Sequence, residues 1–213
     1  MSTINYSAKE IRCKVVYYGP GLGGKTTNVQ AIYKMLQPHE RGELVSLSAK
    51  GFSTGTEDEA RKTRLFDFMP LRVGVMQGFK VIMHMYTVPG EAYHIDTRRF
   101  ILRGVDGVVF VVDSQGDRLE ANIVSKENLY ENLSYYRIDK KFFPLVLQYN
   151  KRDLKNISPI PELNKVLNTE HHPFYTSIAV EGIGVLETLQ RITEMVLVKI
   201  YNDLEGETGG NIK

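Results

Sequence analysis

Short apolar runs rich in β-branched residues alternate along the chain with longer segments that have helical periodicity. This alternation predicts an α/β domain in which helices cover a parallel sheet. The pattern predicts strands over residues 11–18, 66–71, 79–88, 105–113, 144–149 and 174–178. It predicts helices over residues 26–36, 119–136, 160–167 and 184–204.

Two of these elements have especially clear patterns. Residues 105–113 are almost continuously apolar, as expected of a strand that is buried on both faces. The last helix carries one apolar stripe, made up of Val185, Leu189, Ile192, Val196 and Ile200. A stripe of this kind indicates a helix face that packs against the core.

The pattern is weakest between residues 37 and 63, which contain several glycines and the acidic run 57–59. We predict a long irregular connection here, with residues 44–47 apolar enough to pack locally. The strands at 66–71 and 79–88 are predicted to be joined by a turn around Gly74 and Gly78. An irregular connection as long as 37–63 inside a compact domain usually serves a function.

Length and composition indicate one domain over residues 1–204, followed by a polar, flexible tail over 205–213. The formal net charge is only +2, which gives no reason to expect a nucleic-acid-binding surface. No apolar run is long enough to span a membrane, and we expect no lipid anchor. The single cysteine, Cys13, lies in an apolar run, so we expect a buried core residue of a cytoplasmic protein.

The first candidate chemistry is a glycine-rich segment between the first predicted strand and helix, which we call the phosphate loop (residues 19–26). Its residues are Gly19, Pro20, Gly21, Leu22, Gly23, Gly24, Lys25 and Thr26, and they fit the pattern G-x-x-x-x-G-K-T. Glycines let backbone N–H groups surround an anion at the start of a helix. Lys25 is expected to reach the terminal phosphates of a nucleotide, and the Thr26 hydroxyl to coordinate Mg²⁺. The alternative is an ordinary glycine-rich turn.

A second motif directly follows the strand 144–149, and we call it the base-reading segment (residues 150–153). Its sequence is Asn150-Lys151-Arg152-Asp153. A carboxylate here can accept two hydrogen bonds from N1–H and the exocyclic amine of guanine, a donor pair that adenine lacks. Asn150 is expected to tie this segment to the phosphate loop, and the stem of Lys151 to cover the base. The alternative is a solvated polar loop.

With both motifs in this order, the chain resembles Ras-like small GTPases over nearly its whole length. Segments 17–22, 66–70, 86–90 and 104–110 are similar to the bacterial MglA family in particular. The resemblance implies the P-loop NTPase fold of the small-GTPase type, with a mostly parallel sheet and helices on both faces. It also implies a monomer that switches between GDP and GTP forms, controls cell polarity and motility, and responds to a homodimeric Roadblock-domain GTPase-activating protein. Any recruitment to a cell pole would then go through protein partners.

The resemblance assigns further roles. Thr63 matches the switch I threonine that senses the γ-phosphate, and residues 87–90 match the D-x-x-G motif with threonine in place of aspartate. Asp67 is expected to supply the missing contact to the Mg²⁺ shell, unless it is an ordinary strand residue. Expected metal ligands are Thr26, Thr63 and Asp67. The expected nucleotide contacts are the phosphate loop, Thr27, Thr63, Gly90, Asn150, Lys151, Asp153 and the loop Ser177, Ile178 and Ala179, in which only the serine matches the family's S-A-K motif.

The candidate catalytic residues, Lys62, Thr63 and Glu91, include two departures from the family pattern. Lys62 stands where MglA relatives carry an arginine, although Arg61 or Arg64 could replace it if the loop shifts register. Glu91 stands where most Ras-like GTPases carry glutamine. An ionised carboxylate cannot donate to the transferring phosphoryl group, so we expect weak GTPase activity. Glu91 could instead act as a base, or point to solvent until a partner repositions it.

Three functions stay open at this level. The first is a switch in which GTP orders residues 37–63 and 90–104, and the second is a GTP-binding scaffold with little hydrolysis. The third is an ATP-dependent P-loop enzyme, which requires Asp153 to be incidental. Arg98, Arg99 and Arg103 are expected to form a solvated helix face, with an acidic partner surface as the alternative.

Overall fold

The computed structural model describes residues 2–48, 64–89 and 95–209. Within these ranges the strands form one eight-stranded sheet in the order β3-β4-β5-β2-β6-β7-β8, with β1 paired to β2. The strands are β1 (Thr3–Asn5), β2 (Glu10–Tyr18), β3 (Val45–Ser48), β4 (Arg64–Met76), β5 (Phe79–Thr87), β6 (Gly107–Asp113), β7 (Leu145–Asn150) and β8 (Phe174–Thr176). Strands β5, β2, β6, β7 and β8 run parallel, whereas β3 and β4 add antiparallel pairs at one edge. The predicted α/β class with a mostly parallel sheet is confirmed.

Five helices are seen in the described ranges, and they cover both faces of the sheet. They are α1 (Lys25–Met35), α2 (Ile95–Leu102), α3 (Leu119–Tyr135), α4 (Ile160–Leu167) and α5 (Val185–Gly209). Side chains alternate between faces along a strand. Val15 of β2 therefore packs in one core cluster with α1 and α5, while its neighbour Val16 packs in the other with α2, α3 and α4.

The strongest sequence patterns are confirmed. Every residue of β6 is buried, as its apolar run predicts. The stripe of α5 packs in the core, and Cys13 is buried with its pKa raised to about 12, mainly by desolvation. No helix among the described residues combines the length and the apolar character needed to cross a lipid bilayer.

The structure differs from the predictions mainly at the antiparallel edge. Residues 45–48, expected to be irregular, form β3 against β4, and β4 continues to Met76 instead of ending at 71. The turn of the β4–β5 hairpin is Gln77-Gly78, where both residues have positive φ (+50° and +82°), as a two-residue hairpin loop requires. Gly74 lies within β4 at a shift in the β4–β5 register. Helix α5 runs on to Gly209, past the predicted end at 204.

Candidate nucleotide-binding site

The carboxyl ends of the parallel strands bring the predicted motifs to one edge of the sheet. The phosphate loop follows β2, Asp113 ends β6, Asn150 ends β7, and Ser177 follows β8. Asp113 and Asn150 are directly paired in the β6–β7 register. Ligands of open α/β sheets bind in a crevice of this kind.

The phosphate loop has a backbone shape that depends on glycine at two points. Gly19 has φ +144°, and a Cβ there would lie 2.2 Å from the carbonyl oxygen of Val111. Gly24 has φ +102°, and a Cβ there would lie 2.2 Å from Nδ2 of Asn150. The chain therefore passes against β6 and β7 more closely than any other residue would allow.

Lys25 is a buried cation at the start of α1, with only 6% of its surface exposed. Its Nζ donates to the carbonyl oxygens of Gly19 (3.0 Å) and Pro20 (2.7 Å). Burial and, to a smaller extent, the nearby charge of Arg98 lower the pKa of Lys25 to about 7, although Asp67 opposes the shift. An anion bound in the loop would favour the charged ammonium again, so this side chain fits a phosphate.

Asp67 of β4 is a buried carboxylate beside Thr26, with 1% of its surface exposed. Its Oδ2 accepts from the hydroxyls of Thr26 (2.6 Å) and Thr87 (3.0 Å), and its Oδ1 accepts from Ser46 (2.6 Å). The backbone N–H of Asp67 also donates to Thr87 Oγ1 at 2.8 Å. The geometry thus brings a β4 carboxylate to the end of β5, where Thr87 replaces the usual aspartate.

This arrangement fits Mg²⁺. The cation prefers oxygen ligands and often takes only one or two from the protein, completing its shell with water and substrate phosphates. The Thr26 hydroxyl and the Asp67 carboxylate are oxygens of this kind, directly beside the phosphate loop.

Asn150 joins the two motifs and the loop after β8. Its Nδ2 donates to the carbonyl oxygen of Gly23 at 3.0 Å, which is the tie that the sequence predicts. Its Oδ1 accepts from Ser177 Oγ and from the N–H of Ala179, both at 3.0 Å. One buried side chain therefore fixes three separate segments in space.

A cleft of about 250 Å³ opens beside this junction. It is lined by Leu22, Gly24, Thr27, Asn150, Lys151, Asp153, Leu154, Ala179 and Val180. Asp153 is exposed, so its carboxylate is accessible to a ligand. Ser177 contributes by holding Asn150, whereas the backbone of Ile178 pairs with Ile183.

Several predicted residues lie outside the described ranges. These are Lys62, Thr63, Gly90 and Glu91, and their roles stay predictions.

Three further residues were missed or misread in the sequence. Asp113 is fully buried and accepts from Lys151 Nζ at 2.7 Å, and Arg118 donates from Nη2 to the carbonyl oxygen of Gly21 at 2.8 Å. The only available signal was that Asp113, like Asn150, ends a buried strand at the carboxyl edge. Arg98 does not belong to a solvated face: it is buried, and its Nε donates to the carbonyl oxygen of Pro89 at 2.9 Å. Arg103, in contrast, is exposed.

Fold and loop together define a P-loop protein of the small-GTPase type. No protein-family model matches the chain. The chain is 48% identical over 200 residues to the mutual gliding-motility protein MglA of Myxococcus xanthus, an alignment that covers 94% of this chain and 98% of the relative. At this identity and coverage, the chain belongs to the MglA family.

Proposed function

We propose that this protein is a guanine-nucleotide-binding switch that cycles between GDP and GTP forms and controls cell polarity and gliding motility. The observation that supports this most strongly is the junction at Asn150, which joins a phosphate loop to a base-reading segment and fixes the distance between them. The similarity to a gliding-motility protein supports the cellular process.

The phosphates, the base and the Mg²⁺ of a bound guanine nucleotide would each meet a suitable group of this chain. Backbone N–H groups of the phosphate loop and Lys25 would hold the phosphates, and the cleft beside Lys151 would hold the base with its donor edge on Asp153. Thr26, Asp67 and Thr63 would hold Mg²⁺, which neutralises phosphate charge when bound. Gly90 would then sense the γ-phosphate through its backbone.

Hydrolysis is proposed to be weak. Thr63 and Lys62 would approach the phosphates from switch I, and Lys62 offers a point charge without the planar fork of an arginine. Glu91 would take the place of the glutamine that orients the attacking water. Glutamate in place of glutamine at position 91 also favours a second candidate function, a GTP-binding scaffold with little hydrolysis. A single-turnover GTP cleavage assay distinguishes the switch from the scaffold.

Partner proteins would bind between the two switch segments, residues 37–63 and 90–104. An open cleft of about 480 Å³ there is lined in part by the aromatic side chains Phe66, Phe68, Tyr86 and Phe100, and Phe100 is 70% exposed. We propose that polarity effectors and a homodimeric Roadblock-domain activating protein bind a monomer of this chain in the cytoplasm and recruit it to a pole.

Asp153→Asn tests the nucleotide assignment. The parent should bind GDP and GTP far better than ATP in competition with a fluorescent GDP analogue. The variant should lose GDP affinity by at least about a hundredfold and gain affinity for xanthosine diphosphate, because the asparagine amide can donate to the carbonyl that xanthine carries in place of the guanine amine.

Asp203→Asn is the matched control, since Asp203 lies on α5 and pairs only weakly with Lys199 at 3.4 Å. Equal affinity of the parent for ATP, or an unchanged base preference in Asp153→Asn, would contradict the guanine assignment.

A further inference from the structure

Arg118 follows β6 in the chain, and its side chain reaches the Gly21 carbonyl oxygen in the phosphate loop. It closes a short turn of 3₁₀ helix (Gly116–Arg118) that follows β6. The buried side chain of Asn122 anchors this turn, because its Nδ2 donates to the carbonyl oxygens of Asp113 (2.8 Å) and Arg118 (2.9 Å). The backbone of Arg118 is therefore held in place by hydrogen bonds to a buried side chain.

The Arg118 guanidinium holds one particular peptide group. Its Nη2 donates to the Gly21 carbonyl oxygen at 2.8 Å, and its Nε lies 3.6 Å from Oδ2 of Asp113. In a planar trans peptide the N–H points away from the C=O. The N–H of Leu22 therefore points away from Arg118.

The same peptide leads into a strained residue. Leu22 has φ +63°, a left-handed conformation that is unfavourable for a side chain with a Cβ. The Leu22 side chain is 80% exposed, so its own packing does little to hold this conformation. The hydrogen bond from Arg118 to the Gly21 carbonyl oxygen opposes rotation of this peptide.

We propose that Arg118 is a positioning residue for the nucleotide: it fixes the Gly21–Leu22 peptide so that the Leu22 N–H faces the phosphates. This proposal rests on the proposed function, because it requires a phosphate in the loop. Arg118 acts on the phosphate side of the ligand and does not read the base, a task assigned to Asp153.

The fold should tolerate the loss of Arg118. Asp113 is fully buried, but it keeps Lys151 Nζ at 2.7 Å when the arginine is removed. No buried charge is left without a partner by the substitution. A change in nucleotide binding can thus be separated from a change in stability.

The test measures release of fluorescent GDP from Arg118→Met, Arg118→Lys and the parent by stopped flow. We expect release about tenfold faster in Arg118→Met, since a charge-assisted hydrogen bond is lost, and an intermediate rate in Arg118→Lys, which keeps one donor. The increase should persist at high salt, because it comes from a local bond and not from a long-range field. Arg12→Met is the matched control: Arg12 is exposed near the amino end of β2, where it pairs with Glu10.

Two more readouts identify the mechanism. The melting temperature of nucleotide-free Arg118→Met should stay within roughly 2 °C of the parent. The affinity ratio of GDP to IDP, which lacks the exocyclic amine, should not change. Release within twofold of the parent, loss of the effect at high salt, or a changed GDP-to-IDP ratio would overturn the role of Arg118. A parent protein that binds no guanine nucleotide would instead contradict the proposed function.

Discussion

At the scale of single residues, the phosphate loop contains one buried cation, Lys25, whose charge is incompletely compensated. Among the contacts described above, its ammonium is paired only with carbonyl oxygens. Burial of a cation without a carboxylate bonded to it disfavours the charged form. With a pKa of about 7 for Lys25, we expect the binding of a phosphate ligand to depend on pH.

We predict that guanine nucleotide binding is coupled to proton uptake. Bound phosphate should return the pKa of Lys25 toward its ordinary value, so between pH 7 and 8.5 the complex holds a proton that the free protein has lost. Affinity should then fall as pH rises through this range, by up to about tenfold per unit.

Calorimetry in two buffers of different ionisation enthalpy measures the proton uptake on nucleotide binding directly. At pH 8 the expected uptake approaches one proton per nucleotide. At pH 8 the terminal phosphate is almost fully ionised and guanine N1–H has not yet ionised, so the ligand contributes little. Uptake of no proton at pH 8 would show that Lys25 is already charged in the free protein.

Single residues also show which parts of the candidate site could be predicted from the sequence and which could not. The phosphate loop and Asn150 could be predicted because each belongs to a short sequence motif with a defined chemical role. Asp113 and Arg118 could not, since they belong to no such motif and their contacts with Lys151 and Gly21 depend on the packing of the fold. Arg98 was misread for the same reason: its partner Asn128 lies on α3.

At the scale of elements, strands with strong apolar patterns were predicted and polar edge strands were not. Strand β6 has every residue buried, and its pattern identified it. Strand β1 has only three residues, and β3 contains two serines, so neither shows a clear pattern. Ser46 of β3 matters nonetheless, because it donates to Asp67.

The segment between β5 and α2 is the subject of a prediction on GTP hydrolysis. Arg98 of α2 holds the carbonyl of Pro89, directly before Gly90 and Glu91. At roughly 5 Å and an effective dielectric constant near 20, an ionised Glu91 would meet repulsion of about 3 kcal/mol per unit of phosphate charge. Glu91→Gln should therefore accelerate single-turnover GTP cleavage at least about tenfold and leave nucleotide affinity nearly unchanged.

The control for this prediction is Glu187→Gln, an exposed glutamate in the first turn of α5. The same assay is repeated with a Roadblock-domain partner, where the parent should respond only weakly. If Glu91→Gln cleaves GTP no faster than the parent, then Glu91 is not the cause of slow hydrolysis.

At the scale of the whole molecule, the sheet divides the core into two clusters, one packed with α1 and α5 and the other with α2, α3 and α4. Helix α1 begins at the phosphate loop, and α2 belongs to the segment 90–104. Under the proposed function, a nucleotide at the carboxyl edge would contact the start of α1, in one cluster, and act through segment 90–104 on α2, in the other. Binding of the γ-phosphate would then change a face far larger than the site itself.

Hydrogen exchange of the full chain, compared between GDP and a non-hydrolysable GTP analogue, is the most direct measurement of the switch. We predict slower exchange in residues 37–63 and 90–104 with the GTP analogue, and equal exchange in β6 and β7 in both states. The phosphate loop should be protected by either nucleotide, which confirms that both are bound. Identical exchange of both switch segments with the two nucleotides would contradict the switch and leave a GTP-binding scaffold.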